Sequence, residues 1–192
     1  MVYMRRPDLR SKLASCFNPP RAISPSAEEP WAAVVAILTG DDLKELKVLL
    51  IKRRPRENDP WSGHVAFPGG FYTLHDANTL ITAIREASEE VGVEIKPEDI
   101  VGMLDVASPI NRPEVKVAPY VAYLNEEPSL ALGLEVEDAF WAHLSNLNKE
   151  QVTVNTPWGP LSVEGYVYGG YVVWGLTARL LTSLIDKLKA CV

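Results

Sequence analysis

A domain mixing α-helices and β-strands, of the α+β or α/β kind, is predicted by three observations. Apolar, β-branched runs of strand length recur between turns rich in glycine, proline and aspartate. One interior segment, ending at Gly92, carries an apolar stripe at helical spacing. A second such segment, with Leu176, Leu180, Leu184 and Leu188 on one face and Leu181 and Ile185 beside them, closes the chain.

In chain order, Asp8 to Cys16 reads as a short helix stopped by Asn18-Pro19-Pro20, and 24–30 as a polar, proline-bearing linker. Residues 1–30 are therefore expected to be peripheral to a single principal domain over 31–192. Residues 31–39 and 46–52 are apolar runs separated by Gly40-Asp41-Asp42, and read as neighbouring strands.

In the interior helix, Leu80, Ile84, Ala87 and Val91 form the buried stripe, with Glu86, Glu89 and Glu90 on the opposite side. Gly92 suits the left-handed residue that ends many helices. Asp76 is expected as the N-cap, accepting a backbone N–H. Residues 100–107 and 115–124 read as further strands around a loop at 108–113. A hairpin around Pro157-Trp158-Gly159-Pro160 and a strand within 166–173 precede the C-terminal helix.

The chain has 192 residues, enough for one domain with a sizeable core, and 47% hydrophobic against 23% charged residues is ordinary globular composition. Its formal charge of −6, from 25 acidic and 19 basic residues, argues against a long nucleic acid held by phosphate neutralisation, while a small anionic ligand stays open. Residues 1–14 are rich in arginine and interrupted by Pro7, unlike the apolar region of a signal peptide. No apolar run approaches the ~20 residues of a membrane helix. Cys16 and Cys191 lack a metal-like spacing and fit a reducing cytoplasm, with a disulfide between them left open. A soluble cytoplasmic protein without a membrane partner is expected.

Glu86 with Glu89 and Glu86 with Glu90 are like-charge pairs, each destabilising an exposed helix by about 0.2–0.5 kcal/mol, and Arg85 offsets only part of this. A solvated acidic face is the plain reading. A hard divalent cation would turn the repulsion into ligation, because such ions take clustered carboxylate oxygens. Gly69-Gly70 ahead of the helix would let backbone approach a ligand closely.

With Gly70, Arg85, Glu86, Glu89, Glu90, Gly92 and Val93 in place, the stretch resembles the Nudix box, G-x5-E-x7-R-E-U-x-E-E-x-G-U, of the Nudix hydrolase superfamily. Ala87 stands at the first aliphatic place, Asp76 stands for the first glutamate, and eight residues rather than seven separate it from Arg85. The resemblance implies an α/β/α sandwich with a mixed β-sheet. It also implies Mg2+ or Mn2+ held by Glu86, Glu89 and Glu90 with the Gly69 carbonyl, and Arg85 orienting a glutamate, most simply Glu89. Glu89 is then a candidate base. Glu135 and Glu137, in the acidic segment before a late strand, are alternatives as base or further ligand, or are simple surface acids. Alternation would put both on one face of an extended chain.

Leu49, Leu50, Arg53, Gly63, Phe67, Pro68, Gly69 and Gly70 further resemble the coenzyme A pyrophosphatase branch, from which Ile51, Arg54 and Asp59 depart. That branch implies hydrolysis of coenzyme A to adenosine 3′,5′-bisphosphate and 4′-phosphopantetheine. ADP-ribose, NADH and nucleoside polyphosphates are the competing substrates, and a nucleotide-binding module without turnover is the competing class. Arg53 and Arg56, from the run Lys52-Arg53-Arg54-Pro55-Arg56, Gly70, and Arg112 in the 108–113 loop are candidates for holding the substrate, against the plain reading of solvated loop charges. His64 is read as structural, and Trp61 as packing rather than stacking on a base. Family members are often dimers, so a homodimer is among the expectations.

Overall fold

The strand β1 (Trp31–Thr39) carries small and aliphatic side chains on both faces, and both faces are covered. The computed structural model describes residues 8–57 and 63–191. Asp59 and Trp61 lie outside them. Around β1 the chain runs α1 (Leu9–Cys16), β1, β2 (Lys47–Arg53), β3 (Val65–Ala66), β4 (Gly69–Phe71), α2 (Thr79–Val91), β5 (Ile100–Met103), β6 (Lys116–Tyr123) and β7 (Val136–His143). It then continues through β8 (Asn148–Thr156), β9 (Gly159–Tyr168), β10 (Tyr171–Val173) and α3 (Gly175–Ala190).

Seven strands form a mixed sheet: β1 and β6 are parallel, and the remaining pairings are antiparallel, in the order β3-β2-β1-β6-β5 with β4 on β1 and β7 on β2. Trp31, Ala33, Val35 and Ile37 pack with Ala83, Ala87 and Val91 of α2, whereas Ala36 and Leu38 pack with Leu13 of α1 and Leu181 and Leu184 of α3. Strand alternation thus sends alternate side chains into two apolar layers, giving helix, sheet and helix in three layers. Each fully buried aliphatic side chain contributes about 1.5–3 kcal/mol.

One irregularity positions the site. β1 meets β2 only at Leu38 and Thr39, and its first half pairs instead with β4, Ala33 opposite Gly70 and Val34 opposite Gly69. The paired glycines ahead of α2 therefore form a short strand beneath that helix. A Cβ on Gly69 would collide with the Ala33 carbonyl and Val34, so the sheet closes here only around glycine.

The first part of the chain departs from its expected peripheral place. Asp8 caps α1 through the Ser11 N–H, Leu13 and Phe17 are buried in the core, and the Met103 N–H donates to the Asn18 carbonyl. Cys16 and Cys191 are joined in a disulfide that ties α1 to the end of α3. Cysteine usage consequently gives no support to a reducing compartment. No helix among the described residues is long and apolar enough to cross a membrane.

The strands β8, β9 and β10 form a separate antiparallel sheet. Val152 faces Val163 and Val154 faces Leu161 across the hairpin, but only its base, at Tyr166 and Val173, enters the core, and Trp158 at the turn is 86% exposed.

Candidate active site

The helix α2 starts at Thr79 because Asn78, in extended conformation, accepts the Ile81 N–H at 3.1 Å, while the Ile23 carbonyl takes the Thr79 N–H at 2.8 Å. It stops at Gly92, whose left-handed backbone (φ 69°) turns its N–H back to the Ala87 and Ser88 carbonyls. Asp76 is thus not the N-cap. It is 5% exposed and accepts from Arg85 Nε at 2.9 Å and Nη2 at 3.1 Å, and from the Thr82 hydroxyl at 3.0 Å. The Arg85 guanidinium holds its carboxyl well below the ordinary 3.8, at about 2.

Arg85 spends its remaining Nη1 on two carboxylates, Glu86 Oε1 at 2.8 Å and Glu89 Oε2 at 3.1 Å. It therefore orients Glu86 as well as Glu89, with Asp76 anchoring the arginine from behind. Glu90 is 6% exposed and accepts the Gly69 N–H at 2.9 Å on Oε2. Burial, with the Glu86 charge nearby, pushes its carboxyl up to about 8, against the downward pull of the Gly69 N–H and Arg53. Glu86 is raised too, chiefly by burial. The three acids do not all lie opposite the apolar stripe as predicted: Glu89 faces water, whereas Glu90 is turned in among buried neighbours.

Gly70 lies against Glu86 so closely that a Cβ there would overlap its carboxylate. Glu86, Glu89 and Glu90 share a cleft of about 210 Å3 with Gly133, Leu134 and Glu135. A second groove, of about 470 Å3, opens around Thr39, Lys47, Asn125 and His143 and contains none of the predicted site residues.

The other predicted residues divide. Glu135 reaches the cleft and pairs with Arg56 at 2.8 Å. Glu137 does not line it and pairs with Lys52 at 3.2 Å. Arg53 is opposite Val136 and Lys52 opposite Asp138, so Glu137 is the extra residue of a β-bulge, which breaks the alternation expected to align the two acids. Arg53 is close enough to Glu90 to lower its pKa, and its N–H donates to the His64 carbonyl. His64 itself packs against Trp174, ring centroids 4.8 Å apart. Arg112 pairs with Glu114 in the β5–β6 connection and does not line the cleft.

Sequence reasoning missed Gly133 and Leu134. A glycine–apolar–acid triplet just ahead of a strand was the available signal, but nothing in it names the helix it docks against.

No trio of His, Cys, Asp or Glu among the described residues is arranged to hold a metal ion. The reason is visible in the hydrogen bonds: Arg85 draws one oxygen of Glu86 and one of Glu89, and the Gly69 N–H draws one of Glu90. The donor set itself suits a hard divalent cation, since buried Glu90 and half-buried Glu86 lie close enough for the Glu86 charge to raise the Glu90 pKa, and all the donors are oxygens.

The NUDIX domain family matches residues 29–159. A peroxisomal coenzyme A diphosphatase of Caenorhabditis elegans is 37% identical over 147 residues, covering 75% of this chain and 60% of the relative. A mitochondrial coenzyme A diphosphatase of Mus musculus is 32% identical over 136 residues, covering 67% of this chain and 63% of the relative. The chain thus spans less than two thirds of the length of either. Among solved structures, a MutT/nudix family protein from Enterococcus faecalis superposes with a TM-score of 0.61 at 21% identity, over 88% of this chain and 66% of that one. This likeness shows the shared fold.

Proposed function

Because the chain belongs to the Nudix family, we propose that it hydrolyses the pyrophosphate bond of a nucleoside diphosphate linked to a second group, with coenzyme A or its derivatives as substrate and adenosine 3′,5′-bisphosphate and 4′-phosphopantetheine as products. The observation that carries the hydrolase reading is the meeting of Glu86, Glu89, Glu90 and Glu135 on one cleft beside Gly69-Gly70. The coenzyme A reading is supported by the likeness to the two diphosphatases and by the run from Leu49 to Gly70.

Glu86, Glu89 and Glu90 would hold Mg2+ or Mn2+, each through the oxygen not engaged by Arg85 or Gly69, with the Gly69 carbonyl nearby on β4. Such an ion supplies charge for the diphosphate oxygens and lowers the pKa of a bound water. Glu89, the most exposed of the three, would serve as the base that takes a proton from the attacking water, with Glu135 across the cleft as the alternative. Arg85, braced by Asp76, keeps Glu86 and Glu89 in register. Arg53 and Arg56, at the end of β2, would meet phosphate oxygens, Arg56 by exchanging its pairing with Glu135 for the substrate. Gly70, lacking a Cβ, lets backbone lie against Glu86 and the substrate at once.

Product-resolved hydrolysis tests this reading. Coenzyme A, acyl-coenzyme A, ADP-ribose, NADH and nucleoside triphosphates are compared with Mg2+ or Mn2+. Conversion of coenzyme A to the two named products in preference to the others is expected. Preference for another nucleotide removes the coenzyme A assignment, and no turnover of any compound removes the hydrolase reading.

A further inference from the structure

The last turn of a helix leaves its carbonyls without intrahelical partners. In α2 two of them, on Glu90 and Val91, are taken by one distant segment: Gly133 N–H donates to the Glu90 carbonyl at 2.9 Å and Ala131 N–H to the Val91 carbonyl at 2.9 Å. The contact is close enough that a Cβ on Gly133 would collide with the Glu89 carbonyl oxygen, a backbone atom that cannot swing aside. Gly92 also lies close against Ala131, whose methyl a Cβ there would meet, so the segment 131–133 is seated on the helix end through two glycines.

Directly after Gly133 the chain forms the opposite wall of the cleft. The Val136 N–H turns back to the Gly133 carbonyl at 3.1 Å, and the Glu135 carbonyl accepts the Arg54 N–H at 2.8 Å. Glu135 is thereby held by backbone bonds at its own carbonyl and across the turn that contains it. Gly133 and Glu135 both lie well beyond the box in the chain. Yet the same backbone that carries Glu89 and Glu90 also carries, through one hydrogen bond and one contact, the turn that presents Glu135.

We propose that Gly133 is a positioning residue for the metal site: by letting the 131–135 arm lie against the Glu89 and Glu90 backbone, it sets Glu135 at a fixed reach from the carboxylates of α2. The inference rests on the metal-binding part of the proposed function and adds a residue that touches neither ion nor substrate. Gly133→Ala is expected to push the arm away from α2, because the new methyl meets the Glu89 carbonyl, and to shift Glu135 with it.

The test is Mn2+ binding to the intact chain by calorimetry, without any substrate, in the wild type, Gly133→Ala, Glu135→Gln and the double variant, with circular dichroism as the check on folding. Gly133→Ala is expected to weaken Mn2+ binding about tenfold, the scale on which residues that orient ligands act. Because both changes act through the same carboxylate, the double variant is expected to bind no more weakly than Glu135→Gln alone. Wild-type affinity in Gly133→Ala, or losses that simply add in the double variant, would overturn the inference. If Gly133→Ala does not fold, Glu135→Gln decides: weakened Mn2+ binding upholds the placement of Glu135, and unchanged binding overturns it. A wild type that binds no Mn2+ at all defeats the metal reading itself, and is told apart from the other outcomes because it involves no substitution.

Discussion

The two walls of the cleft are built by different physics. On the α2 and β4 side, the carboxylates are fixed by a linked set of partners: buried Asp76 behind Arg85, Arg85 on Glu86 and Glu89, the Gly69 backbone on Glu90, and bare Gly70 against Glu86. On the other side, side chains of the basic run and the acidic arm meet as exposed ion pairs, Arg56 with Glu135 at the cleft and Lys52 with Glu137 outside its lining. Exposed pairs are worth about 0–1 kcal/mol each, so they can part when a charged substrate arrives. The lesson is that the α2 wall pre-sets its carboxylates, while the other wall pre-sets only its backbone and leaves its side chains exchangeable, and substitutions should separate them.

The largest effect is expected at Gly70→Ala. The new methyl would displace the Glu86 carboxylate, and a misplacement of about 1 Å costs on the order of 100-fold in rate. Steady-state turnover alongside a thermal melt checks it, and near-normal turnover would mean that this wall is not rigid. Asp76→Asn comes next, removing the buried partner of a partly exposed arginine, with about 2 kcal/mol lost in urea unfolding at pH 7. Its sign with pH is fixed. Asp76 has a folded pKa lowered from 3.8 to about 2, so its contribution is complete above 3.8 and is lost as pH falls towards 2. The wild type and the Asn variant should therefore converge in stability at the acid end.

Glu90→Gln should act in the opposite direction. With the folded pKa raised from 4.5 to about 8, ionised Glu90 costs the metal-free fold increasingly as pH rises between those values. At pH 8 the Gln variant is expected to be more stable than the wild type by about 1–2 kcal/mol, and adding Mn2+ should stabilise the wild type alone. Equal stabilisation of both by Mn2+ would remove Glu90 from the ligand set. The smallest effect belongs to Lys52→Gln, whose exposed pair with Glu137 lies beside the exchangeable wall: below about 0.5 kcal/mol in stability and within about twofold in turnover. A large loss there would erase the distinction between the walls.

Legibility followed the range of the interactions. Glu86, Glu89, Glu90 and the Gly92 stop share one helix, whose periodicity fixes their relative directions without reference to the rest of the chain. β1 and the two outer helices were readable for the same reason. Asn78 and Asp76 are both short polar residues ahead of that helix, and only tertiary burial under Arg85 decides which one caps. The three-residue strand β4 is too short to carry a period, and it exists because β1 leaves β2 early. The reach of Glu135 and the bulge at Glu137 are set by contacts between segments far apart in sequence, which no local pattern records.

The link between Cys16 and Cys191 has a topological consequence. With the two cysteines joined across 175 residues, nearly the whole main chain is a closed ring. A single cut within that ring, for instance by a protease at the projecting Trp158 turn, opens the circle without producing two separate molecules. The cut protein would keep one mass band until a dithiol divides it into two fragments.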